Sequence, residues 1–139
     1  MNYLYHGSPI QGLTDLKPKL DGKEKFGGPI VCATTDISFA ALYVHRISLK
    51  DPENRFSVSY DKNVFIFKEK KRGIFVELFS GKTGSIYKLS FDNAERPSKN
   101  SFGPEYIFYE WAEVIEEMHI KDVKEFLYEK KREGKFSIV

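Results

Sequence analysis

A single cysteine, Cys32, is all the thiol chemistry in this chain of 139 residues. One thiol forms no intramolecular disulfide and builds no cysteine-based zinc site. The compartment expected for such a chain is a reducing cytoplasm. Long hydrophobic runs are also missing, so no segment reads as a membrane span and no membrane partner is expected. The amino terminus, MNYLYHGSPIQ, lacks a basic region followed by an apolar stretch and does not read as a secretory signal. Charge of one sign is absent too: 22 basic residues face 20 acidic ones, for a net charge of +2. That balance argues against nucleic-acid binding by bulk charge, while leaving room for a local basic patch. Neither Gly-x-Gly-x-x-Gly nor the phosphate-loop pattern occurs. The three histidines, His6, His45 and His119, match no metal-ligand spacing, so no metal is expected. No internal repeat or low-complexity segment is visible.

What is present is apolar and aromatic. Hydrophobic residues make up 41% of the chain and aromatics 15%, which excludes intrinsic disorder. The length fits one domain over residues 1–139. Residues 2–6 read as a strand entering a turn at Gly7-Ser8-Pro9. Residues 10–20 read as loop, and 21–28 as a mobile loop. The run 29–33 reads as a buried strand, followed by Thr34, Thr35 and Asp36, each able to cap a helix. A helix is expected over 37–46. Strands are expected at 56–60, 64–67, 74–79 and 86–91, with KEKKR at 68–72 as a solvated hairpin turn. Residues 92–104 read as loop, 106–109 and 114–120 as strands, and 122–132 as a helix whose apolar face carries Val123, Phe126 and Leu127. The class expected is α+β.

Three groups of residues carry potential chemistry. His6 stands beside Gly7, where the backbone can approach a ligand closely; taken alone, it reads as a hydrogen-bonded histidine at a strand end. Tyr43 shares a helix face with Phe39 and by itself reads as a core aromatic. Glu105, Glu110 and Glu113 lie among Tyr106, Tyr109 and Trp111. A carboxylate among aromatics can be desolvated or can hold a sugar hydroxyl, although an exposed face is the commoner fate of glutamate. Cys32 in its apolar run reads as inert core.

The order of these groups resembles the ADP-ribosyltransferase superfamily, in particular its His-Tyr-Glu branch of diphtheria-toxin-like enzymes and poly-ADP-ribose polymerases. Tyr5-His6-Gly7-Ser8 is similar to the first motif of that branch. Residues 28–43, GPIVCATTDISFAALY, are similar to its strand–helix segment ending in small residues and a tyrosine. Glu105-Tyr106-Ile107-Phe108-Tyr109 resembles the motif in which a glutamate opens a strand. Together the segments cover roughly the first third and last quarter of the chain; residues 50–84 carry no such resemblance.

The resemblance implies a split β-sheet core with a few short helices and an NAD-dependent mono-ADP-ribosyltransferase, a glycosyltransferase using NAD as substrate without a metal. His6 would contact a ribose hydroxyl on the adenosine side. Gly7 would hold the carboxamide through its backbone, with Ser8 and Cys32 beside the ligand. Tyr43 would stack on the nicotinamide ring. Glu105 would bond the 2′-hydroxyl of the nicotinamide ribose and favour the oxocarbenium-like state. A shifted strand register would give that role to Glu110. Cys32 stands where a second stacking tyrosine is common and Ala40 where a serine hydroxyl is. The partners implied are NAD and a macromolecular acceptor, protein or nucleic acid; a toxin role would add a neutralising partner. Two other readings are open: a catalytically degenerate nucleotide- or protein-binding module of the same fold, and an RNA 2′-phosphotransferase-like enzyme.

Overall fold

The computed structural model describes residues 2–19, 28–44, 51–97 and 103–139. Among these, the chain is α+β, with two β-sheets and three short helices. The strands are β1 (Leu4–Ser8), β2 (Asp15–Leu16), β3 (Val31–Thr34), β4 (Phe56–Asp61), β5 (Val64–Glu69), β6 (Gly84–Leu89), β7 (Glu105–Phe108), β8 (Ala112–Ile120) and β9 (Phe136–Ile138). The helices are α1 (Ile37–Tyr43), α2 (Ile74–Phe79) and α3 (Val123–Arg132). An antiparallel sheet of six strands runs β2-β8-β6-β1-β3-β7, and a mixed sheet of three runs β4-β5-β9.

Alternation along β1 decides what each face of the large sheet buries. Tyr5 packs on the core that contains α1, α2, α3 and the small sheet, with Phe39, Phe65, Phe67 and Phe75 at its centre. Leu4 packs on a second core with Leu16, Val31, Ala33, Tyr87 and Leu89. Gly7 shares the face of Tyr5. An added Cβ there would fall inside the contact radius of the Ala40 carbonyl oxygen. Only glycine lets α1 press this closely against β1.

The segment from Asp15 to Lys19 is not simple loop. Leu16 pairs with Ala112 at the start of β8, and Lys19 and Ile30 exchange backbone hydrogen bonds of 2.9 and 3.0 Å. β8 and Ile30 lie on opposite sides of β1 in the sheet order. The segment is therefore a strap across the sheet face opposite α1, held down by the burial of Leu16.

Residues 74–79 form a helix rather than the expected strand. Their buried residues are Ile74, Phe75 and Phe79, while Val76 is exposed. That is the i, i+1, i+5 pattern of a helix face, whereas a strand would bury alternate residues. The Glu69 carboxylate accepts the Phe75 N–H at 2.9 Å, meeting one of the donors left over in the first turn. KEKKR correspondingly ends β5 and leads into this helix instead of turning a hairpin. β2 and β9 stand where no strand is expected. The expected loop 21–28 falls outside the described residues apart from Gly28, and the helix expected to 46 is described to Tyr43, with Val44 as its cap. In α3, Val123 and Leu127 are buried and Phe126 is half-buried, which is the expected face.

Candidate active-site cleft

β1 and β3 are neighbours, yet their register contains one pair, Tyr5↔Thr34. Beyond it the strands part. The His6 ring enters the opening, and its Nδ1 lies 2.6 Å from the Cys32 carbonyl oxygen. A carbonyl only accepts, so Nδ1 carries the hydrogen and, in the neutral ring, Nε2 is the acceptor. The backbone of β3 shows which way its groups point. Thr35 N–H reaches Pro104 on the β7 side, and Ile30 bonds Lys19 on the other side. Alternation then turns the peptide groups of Cys32 and Thr34 toward β1. The same argument, started from Tyr5, turns the Gly7 N–H and C=O toward the opening.

The opening is a cleft of about 590 Å³, within the range that holds a cofactor-sized ligand. Its lining comes from both faces of the sheet. Phe39, Ala40 and Tyr43 of α1 contribute from one side; Leu13, Lys17 and Lys19 of the strap region contribute from the other. The cleft thus passes through the gap between β1 and β3. His6, Gly7, Ser8, Cys32, Tyr43 and Glu105 all line it. Glu110 does not; it is exposed in the turn after β7. Glu113 pairs with Asp15 and is also exposed. His45 lies outside the described residues, and His119 sits on β8 with its Nε2 at 3.2 Å from Glu117.

Glu105 opens β7 opposite Thr34 and is 6% exposed. Alternation puts Cys32, Thr34 and Glu105 on the α1 face. Tyr43 is close to Glu105: its phenol is held above its usual pKa first by burial, then by the Glu105 carboxylate, with a smaller share from the neighbouring Cys32. The Tyr43 ring stacks on Phe39 with centroids 5.1 Å apart, so one ring face is already supported by the core. Arg96 anchors the entry to β7, donating to the Glu105 carbonyl at 3.1 Å and to the Gly103 carbonyl at 2.7 Å.

The helix that presents Tyr43 is fixed at its start by Asp36. This carboxylate accepts from Ser38 N–H at 2.9 Å and Phe39 N–H at 3.4 Å, and Thr34 Oγ1 accepts from Asp36 N–H at 3.0 Å. Of the three expected caps, Asp36 caps the helix and Thr34 orients it. Burial raises the Asp36 pKa, against the lowering effect of the Ser38 N–H, of Tyr60 and of the Phe39 N–H.

Ser8 lines the cleft and also has a local role. Its Oγ accepts the Ile10 N–H at 3.1 Å, so the hydroxyl shapes the turn out of β1. That turn is latched to the sheet by residues with no signal in the sequence. Glu117 accepts from Ser85 Oγ at 2.6 Å and from Gly12 N–H at 2.9 Å. Tyr87 donates to the Ile10 carbonyl at 2.5 Å and accepts from Leu13 N–H at 3.2 Å. Gln11 donates to the Gly84 carbonyl at 3.0 Å. The latch is legible only once β6 and β8 are paired, because each of its bonds to the turn 10–13 joins residues more than 70 apart in the chain.

Comparison with protein-family models, with curated proteins and with solved structures finds no match for this chain.

Proposed function

We propose that this protein is an NAD-dependent mono-ADP-ribosyltransferase-like enzyme with a split-sheet core of the His-Tyr-Glu type. The observation that carries the reading is the meeting of His6, Tyr43 and Glu105 in one cleft, from three separate segments of the chain. Their order in sequence is what the resemblance rests on; their meeting in space is an independent fact that supports it.

The cleft suits the ligand in three respects. The Gly7 peptide faces the opening and offers one donor and one acceptor, the pair that a carboxamide complements. The supported Tyr43 ring offers a flat apolar surface to the nicotinamide. The nearly buried Glu105 supplies a carboxylate where the ribose would lie. In the reaction, the bond between ribose C1′ and the nicotinamide nitrogen breaks, and its electron pair leaves with nicotinamide. Positive charge develops on the sugar, where the Glu105 carboxylate stabilises it. An acceptor nucleophile then bonds to C1′ and releases its proton.

A second reading, a nucleotide-binding module that has lost catalysis, is favoured by Cys32 and Ala40. The Cys32 thiol in the wall supplies no second ring, and Ala40 supplies no hydroxyl. The RNA 2′-phosphotransferase reading receives less support, since among the described residues no arginine lines the cleft; Arg55 pairs with Asp51 and Arg96 with backbone carbonyls. Incubation with NAD and detection of released nicotinamide separates the first two. Release above the background set by His6→Ala and Glu105→Gln supports the enzyme. NAD binding without release supports the module.

A further inference from the structure

Two lysines and an indole at the mouth of the cleft have no part in the chemistry above. Lys17 and Lys19, both exposed, line the cleft from the strap. Trp111 lines it from the turn between β7 and β8 and is 61% exposed. The register joins them: Asp15 pairs Glu113 and Leu16 pairs Ala112, so continuing it places Lys17 across from Trp111. An indole this exposed leaves a large apolar face in water at a cavity entrance, and Ile10, which also lines the cleft, is 43% exposed. The lining of the mouth carries these two cations against one carboxylate, Asp15, while Glu105 lies at the buried end.

We infer that Lys17, Lys19 and Trp111 form an outer subsite for the nucleoside-diphosphate end of the ligand. The indole face stacks on the base, and the two ammonium groups meet the two linked phosphates. An extended dipeptide separates the lysines by roughly 7 Å, a gap that their flexible stems close onto adjacent phosphates. Leu16, immediately before them, is buried, which keeps this end of the strap in place. The choice of a diphosphate rests on the NAD reading of the inner cleft; the ring-plus-cation chemistry of the mouth is independent of it.

Trp111 is the only tryptophan in the chain, so tryptophan fluorescence reports this subsite alone. Titration with ADP is expected to change the emission saturably. Lys17→Ala/Lys19→Ala is expected to weaken ADP binding about ten-fold or more, as is Trp111→Ala followed by calorimetry. Glu105→Gln and Tyr43→Phe are expected to leave ADP binding unchanged, and nicotinamide mononucleotide is expected to leave the emission as it was. Absence of ADP binding, or ADP binding that is indifferent to all three mouth residues, overturns the subsite. NAD cleavage with no involvement of the mouth residues overturns the subsite and leaves the inner-cleft reading standing. ADP bound through the mouth residues by a protein that releases no nicotinamide supports the subsite and overturns the enzyme.

Discussion

The His6 ring reaches the Cys32 carbonyl at 2.6 Å, just past the point where the pairing of Tyr5 with Thr34 ends. A side chain thus takes an acceptor that the ladder would otherwise use. The sheet can open there without leaving that carbonyl unmet in a partly buried position. The split and the histidine are two sides of one arrangement.

His6→Ala should therefore affect both stability and ligand binding. Loss of one partly buried hydrogen bond costs roughly 0.5–1.5 kcal/mol, read as a lower urea midpoint with unchanged slope. Nicotinamide release should fall to background at the same time. Unchanged stability would show that the contact does not help hold the opening.

Gly7→Ala tests the close approach of α1 to β1. The new methyl meets the Ala40 backbone carbonyl and lies close to Val44 N. Overpacking of this kind costs about 1–3 kcal/mol. Adding Ala40→Gly should not rescue the variant, because the atom met belongs to the backbone rather than the Ala40 side chain. A Gly7→Ala protein as stable as wild type in chemical denaturation would show that helix and strand can separate freely.

The two acids separate cleanly. Glu105→Gln removes the carboxylate charge from the cleft and should lower nicotinamide release about 10²- to 10³-fold, the size seen when one preorganised electrostatic group is lost. Glu110→Gln changes an exposed side chain and should leave release intact and stability within about 0.5 kcal/mol. The reverse pattern would transfer the role to Glu110 and require β7 to shift register in the bound state.

Local signals carried much of this far. The strand at β1, the unit of β3 and α1 with its Asp36 cap, and the helix α3 all follow from short-range pattern. The stretch 74–79 misled because its β-branched and aromatic residues favour strands, while tertiary burial of Ile74, Phe75 and Phe79 decides for helix. Residues 10–19 read as loop because the pairing of Asp15 and Leu16 is with the distant β8, and that of Lys19 is a single bridge to Ile30. Of the cleft, His6, Tyr43 and Glu105 were visible through family resemblance. Lys17, Lys19 and Trp111 were not, since a lysine in a loop and a lone tryptophan acquire meaning only when the strap brings them together. Glu117 was hidden for a related reason: β8 contains many glutamates, and only pairing with β6 puts this one beneath the turn 10–13.

Glu117 makes the last prediction, one of pH. Its carboxyl is held below the ordinary glutamate value chiefly by the Ser85 hydroxyl, then by the Gly12 N–H, with His119 adding to both. A pKa lower in the folded than in the unfolded chain stabilises the fold above the unfolded value. That contribution is lost as pH falls through the folded value. The difference in melting temperature between wild type and Glu117→Gln should accordingly be full at pH 6–7 and shrink below about pH 4.5. His119→Asn should keep most of the difference, because Ser85 and Gly12 still donate. The same latch positions Ile10 and Leu13 in the cleft wall, so Glu117→Gln should also weaken ADP binding at neutral pH while leaving far-UV circular dichroism unchanged. A pH-independent gap between the two proteins would mean that the carboxylate charge has no share in holding the turn.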